Sequence, residues 1–136
     1  MNNTLPKIYR KKSAIHRYGV YANEIIRKGQ PIVQYRGRKL TKSQADRSSS
    51  DYIFILNKRY DILGQNIARY INHSCDPNCE AVIVGNTEVW IEATRKIIPH
   101  EELTYNYGYV LDDEDPAVCN CKKRKCVGVI LDSEYW

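Results

Sequence analysis

Phenylalanine is nearly missing from this chain: one Phe stands against eleven Tyr in 136 residues, with one Met, seven Gly and five Pro. No stretch of about 18 apolar residues occurs, which excludes a membrane-spanning helix. The opening Met-Asn-Asn-Thr-Leu-Pro-Lys has no apolar signal-peptide core, so an intracellular location is expected. Repeats and low-complexity tails are absent. So are His-Glu-x-x-His, Gly-x-Ser-x-Gly and phosphate-loop patterns, and without them the three histidines offer no hydrolase reading. A lone histidine such as His73 is more often structural than catalytic.

What is present fits one domain. A chain of 136 residues buries roughly two-thirds of its unfolded surface, enough for a single core. Abundant Tyr and short β-branched runs between turn signals predict many short strands. These are Lys7–Arg10, Gly19–Ala22, Pro31–Tyr35, Tyr52–Leu56, Ala81–Val84 and Glu88–Ala93, the last two paired as a hairpin across Gly85-Asn86. Arg38–Ser50 is polar; Lys39–Ala45 reads as one or two helical turns and Ser48–Ser50 as a loop.

Charge and cysteine are unevenly spread. The net charge is +5, with Lys7, Arg10, Lys11, Lys12 and Arg17 in one basic region, Lys122–Lys125 in another and the acidic block 112–115 between them. Such runs are usually solvated faces. The sharper reading gives the acidic block to a basic peptide and the Lys122–Lys125 tip to nucleic acid or another anion. Three of the five cysteines, Cys119, Cys121 and Cys126, fall within eight residues, a spacing that favours a metal over disulfides in a reducing compartment. Cys79 reads as a small buried apolar residue.

Two segments carry the chemistry: Arg-Tyr-Ile-Asn-His-Ser-Cys-Asp-Pro-Asn-Cys at 69–79 and Glu-Leu-Thr-Tyr-Asn-Tyr at 102–107. From residue types alone, Tyr52, Tyr105, Tyr107 and Tyr109 could wall an apolar channel, though any one of eleven tyrosines is more often a core residue. With the Cys-x-Cys-x4-Cys knuckle at 119–126, the two segments resemble the signatures of the SET-domain protein-lysine methyltransferases and their post-SET zinc knuckle. The resemblance covers nearly the whole chain and is strongest over 61–126.

That resemblance implies a mainly β SET fold of short curled sheets, a C-terminal pseudoknot and a zinc-binding post-SET tail, divided as a SET domain at 1–110 and a tail at 111–136. It implies methyl transfer from S-adenosylmethionine to a lysine. Deprotonating a lysine of pKa ~10.4 near neutral pH takes about three units, roughly 4 kcal/mol. An apolar channel beside a sulfonium cation pushes that way. No strong general base is needed, and in-line geometry does much of the rest.

By the same resemblance Tyr107 is the catalytic tyrosine and Tyr105 the Phe/Tyr switch that limits the methyl count, while Tyr52 faces both donor and lysine channel. His16, Arg17, Tyr18 and Gly19 cradle the donor with Asn72 and His73; Asn120 lies near its adenine. Cys75 joins Cys119, Cys121 and Cys126 as the fourth zinc ligand. Two departures stand out: Arg17 where the family commonly has glycine, and Asn106 where it has Asp. The implied product is mainly monomethyl-lysine. The implied substrate is a histone or other basic protein, or a non-histone one such as a ribosomal protein; an inactive SET-fold binding module is a weaker alternative. Action in the nucleus or on chromatin follows if the chain is eukaryotic or host-directed, and cytoplasmic action otherwise.

Overall fold

The computed structural model describes residues 5–15, 17–48, 50 and 52–107. His16, Tyr109, the acidic block, Cys119, Asn120, Cys121, Lys122–Lys125 and Cys126 lie outside the described residues. Ten short strands, one α-helical turn of five residues and one 3-10 turn at Ile67–Tyr70 make the architecture mainly β among the described residues.

β1 (Ile8–Lys12) and β2 (Tyr18–Ala22) form an antiparallel ladder from Ile8↔Ala22 to Lys12↔Tyr18. The pairing carries β1 two residues beyond its predicted end at Arg10. β3 (Pro31–Tyr35), β9 (Glu88–Ala93) and β8 (Cys79–Val84) form a three-stranded antiparallel sheet with β9 central. The predicted β8–β9 hairpin is present, and both Gly85 (φ 60°) and Asn86 (φ 59°) take the left-handed conformation that Gly and Asn accept most readily.

β4 (Gly37–Thr41), β6 (Tyr60–Gly64) and β5 (Ile53–Ile55) form the second three-stranded sheet. Here the sequence reading needs correction. Lys39–Thr41, expected to begin a helix, belongs to β4, and only Lys42–Asp46 is helical, as α1. Thr41 is the boundary: its hydroxyl accepts from Gln44 N–H while Gln44 Oε1 accepts from Thr41 N–H, a reciprocal cap that starts the helix there. Strand β6 was not foreseen, because Arg59-Tyr60-Asp61 reads as polar. Asp61 is buried but paired with Lys42, and the strand holds the sheet centre through ladders on both sides.

The core lies between these sheets. Val20, Ile26, Ile32, Ile91, Ile97 and Leu103 are essentially fully buried there, each worth about 2 kcal/mol relative to exposure. Cys79 is in the same cluster, as its apolar reading anticipated.

One element runs through the middle of the molecule. Residues 101–107 lie beside β2, with Ala22 N–H donating to Glu101 O at 3.0 Å and Leu103 N–H to Val20 O at 2.7 Å. Within that segment β10 (Thr104–Tyr105) pairs in parallel with β7 (Asn72–His73). The loop after β7 fastens it: Ser74 N–H donates to Tyr105 O at 3.2 Å. Asn78 Nδ2 donates to Glu102 O, and its Oδ1 accepts from Thr104 N–H, both at 2.9 Å. Buried backbone groups must find partners, and this loop supplies them where a regular sheet is absent.

Candidate active site

The threaded segment brings the two sequence signatures together. The β7–β10 pairing sets Thr104 against Asn72 and Tyr105 against His73. Tyr107 then reaches back: its N–H donates to His73 Nδ1 at 3.0 Å and its hydroxyl donates to Ile71 O at 2.7 Å. The phenol's single proton is therefore committed to the backbone, and towards a ligand the oxygen can only accept. The Tyr105 and Tyr107 rings are 5.0 Å apart, Phe54 packs 6.4 Å from Tyr105, and His73 meets Tyr107 edge-on at 5.3 Å.

His73 is buried, and burial alone pushes its pKa down to about 4. Because Nδ1 accepts from Tyr107 N–H, the proton of the neutral ring sits on Nε2, which points at Cys75 Sγ 3.7 Å away. The histidine thus braces the tyrosine and faces a cysteine. Cys75 and Cys79 differ. Burial pushes Cys79 up to about 12, keeping it a thiol in the core cluster, whereas Cys75, equally buried, stands outside that cluster and faces His73 Nε2.

A second group of tyrosines forms nearer the surface, with Tyr18 exposed and Tyr52 and Tyr70 half-buried. Arg10 lies over the Tyr18 ring at 4.7 Å and the Tyr70 ring at 5.1 Å; Arg69 lies over Tyr70 at 4.8 Å and Tyr52 at 5.0 Å. Tyr70 accepts a 2.6 Å hydrogen bond from Arg69, which holds its phenol below the ordinary tyrosine value. Tyr52 and Tyr18 flank Tyr70 edge-on at 5.7 and 6.0 Å. Tyr18 and Tyr52, both assigned to the donor and 34 residues apart, therefore meet around a third ring. Tyr52 is tied to the core through its carbonyl, which accepts from Tyr35 OH at 2.8 Å.

Arg17 clarifies the missing glycine. Its φ is 41°, the left-handed region that a glycine would take there, so the backbone path keeps that form while the residue bears the strain. Between the two tyrosine groups lies Asn72, whose Nδ2 donates to Tyr18 O at 3.1 Å and to Glu102 at 2.9 Å. Sequence reasoning gave no task to Glu102, Ser13, Asn78, Arg10, Arg69 or Tyr70, although four of them stand inside the quoted motifs. Nothing in a linear string says which motif positions touch.

Electron-rich ring faces and a neutral carboxamide suit a positively charged small-molecule group. Comparison with known proteins agrees with this chemistry. The SET domain model matches residues 17–108. The chain is 36% identical over 136 residues to the H3 lysine-4 specific histone-lysine N-methyltransferase of Aspergillus oryzae, covering 88% of this chain and 11% of that protein. To the Saccharomyces cerevisiae enzyme of the same name it is 35% identical, with 88% and 13% covered. The solved structure of KRYPTONITE in complex with mCHH DNA, an H3(1-15) peptide and SAH superposes with a TM-score of 0.80 at 27% identity, covering 92% of this chain and 29% of that one. The chain thus spans a small fraction of the proteins it matches. The match over residues 17–108, together with the threaded segment and its paired signatures, makes this chain a member of the SET domain family.

Proposed function

We propose that this chain is an S-adenosylmethionine-dependent protein-lysine N-methyltransferase acting on a histone. The observation that carries the reading is Tyr107, whose hydroxyl is pinned to Ile71 O and whose backbone is pinned to His73. A ring fixed at both ends is what positioning two reactants in line requires. The donor supplies a methyl group on a positively charged sulfur. The lysine nitrogen forms a bond to that carbon as the carbon–sulfur bond breaks, and the extra proton on the amine passes to water. Within that reaction Tyr107 Oη accepts from the amine N–H and orients its lone pair. The apolar walls from Phe54 and Tyr105 disfavour the ammonium form. Asn72, His73, Tyr18, Gly19 and Arg17 hold the donor, together with His16, Asn120 and Tyr52.

Histone H3 is the leading substrate because the relatives above are named for it and the KRYPTONITE complex contains an H3 peptide. Action on chromatin follows from the same reading. A non-histone substrate such as a ribosomal protein is the runner-up. An inactive binding module is disfavoured by the presence of Tyr107 and Asn72. Lys122–Lys125 would supply weak contact to nucleic acid, and residues 111–136 form the post-SET tail beyond a SET domain at 1–110. Within that tail Cys119, Cys121 and Cys126 join Cys75 around a structural zinc, with His73 Nε2–H supporting the Cys75 thiolate.

The product is mainly monomethyl-lysine, because a Tyr105 hydroxyl can hold a water where further methyl groups would sit. Labelled donor with histones, ribosomal proteins and extracts, followed by mass spectrometry, tests the reaction and its target; no transfer to any protein by zinc-replete enzyme overturns it. Tyr105→Phe in the same assay should shift product towards dimethyl- and trimethyl-lysine, and an unchanged distribution refutes the switch. Elemental analysis should find about one zinc per chain, lost in Cys75→Ser and retained in Cys79→Ser.

A further inference from the structure

Glu102 opens the Glu-Leu-Thr-Tyr-Asn-Tyr segment and has no part in the reaction as proposed, yet three separate elements converge on its carboxylate. Ser13 Oγ donates to it, 2.9 Å from each oxygen. Asn72 Nδ2 donates to Oε2 at 2.9 Å, and Tyr21 OH shares its proton between Lys12 O at 3.2 Å and Oε1 at 3.4 Å. Ser13 in turn shapes the turn between β1 and β2: its N–H donates to Arg17 O at 2.8 Å and its Oγ accepts from Ile15 N–H at 2.9 Å. Gly19 is what lets the carboxylate in, since a Cβ at that position would stand 2.3 Å from Glu102 Oε2. Burial and the neighbouring Glu102 charge both raise the Tyr21 phenol above its ordinary value, so it remains a donor at neutral pH.

The consequence falls on Asn72. A side-chain amide has two N–H hydrogens, and here one goes to Tyr18 O and the other to Glu102. With both committed, the carboxamide cannot turn over. A neutral residue at 102 with no acceptor would leave the amide free to present either nitrogen or oxygen.

We propose that Glu102 is a positioning residue: it locks the Asn72 carboxamide in one orientation for binding the methyl donor, and ties Ser13 of the β1–β2 connection to the same site. This rests on the donor-binding reading above and deepens it.

The test is calorimetric titration of the zinc-replete full chain with S-adenosylmethionine, paired with steady-state kinetics in which donor and peptide are varied separately. In Glu102→Ala, donor Kd and donor KM should both rise about 10- to 100-fold, the loss of one charge-assisted anchor. Peptide KM, and kcat at saturating donor, should stay within about 3-fold. Glu102→Gln should recover most of the donor affinity, because its amide oxygen still accepts from Asn72 while its NH2 donates to Ser13 Oγ. A folded Glu102→Ala that binds donor like the wild type, or that loses kcat with donor affinity intact, overturns the proposal. Should Glu102→Ala fail to fold, Ser13→Ala decides: about 3-fold weaker donor binding at unchanged melting temperature supports the clasp, and unchanged binding overturns it. Wild type that takes up no donor at all overturns the methyltransferase reading itself and this inference with it.

Discussion

The two tyrosine groups of this protein are built by opposite means. Tyr105, buried, and Tyr107, half-buried, belong to one six-residue motif and form an interior group held by neutral hydrogen bonds to Ile71, His73 and Ser74. Tyr18, Tyr70 and Tyr52 come from three distant segments and are held by two guanidinium groups near the surface. An aromatic ring buried with its polar tip satisfied is fixed to within a fraction of an ångström, which suits bond-making. A ring stacked under an exposed arginine keeps its place at little cost and can yield to a ligand. One side chain therefore counts for much more in the first group than in the second.

Tyr107→Phe should produce the largest effect, lowering methyl transfer about 100- to 1,000-fold while donor binding persists. The fold should lose only about 1 kcal/mol, the Ile71 hydrogen bond. Transfer assays and calorimetry check both, and near-normal turnover by a folded variant would erase the distinction between the groups.

Asn78→Ala should come next, because it strands Glu102 O and Thr104 N–H beneath the loop that fastens the interior group. A loss of about 3 kcal/mol is expected in urea unfolding, two buried backbone groups left without partners. A loss under 1 kcal/mol would mean that the β7–β10 pairing holds the segment unaided.

In the surface group the numbers shrink. Arg10→Ala removes two exposed cation–π contacts and should cost about 1 kcal/mol, with kcat nearly unchanged. A fall in kcat of tenfold or more would show that this surface is as rigidly required as the interior. Smallest is Arg17→Gly. Relief of a left-handed non-glycine residue is worth about 1–2 kcal/mol, and the added freedom of the unfolded chain takes back about 0.5–1 kcal/mol. Thermal melting should therefore rise slightly, and a clear drop would assign the Arg17 side chain a stabilising role larger than its strain.

Strands Pro31–Tyr35 and Glu88–Ala93 and the Gly85-Asn86 turn were legible because β-branched runs and turn residues act locally. Strand Tyr60–Gly64 was not, since the partner that lets Asp61 lie buried is Lys42, 19 residues away. The division within Lys39–Ala45 hinged on one reciprocal cap at Thr41, which residue propensities average over. For the site, the sequence named Asn72 through one contiguous motif and Tyr105 and Tyr107 through another, and the two motifs pair as β7 and β10. It was silent on Glu102, whose partners Asn72 and Ser13 stand 30 and 89 residues away.

By itself, then, the sequence determined the chemistry available to this protein: aromatic hydroxyls, a neutral amide, a thiol-rich tail, and strands too short to form one large sheet. The tertiary structure alone decided which of those groups face one another. Threading 101–107 between β2 and the 72–78 loop makes Asn78 a clamp, fixes the His73 tautomer and turns Glu102 towards Asn72. Local periodicity encodes which way a side chain points from its own strand. A hydrogen bond between residues tens of positions apart exists only once the chain has closed around it, and at that point the orphaned polar groups of the interior select their partners.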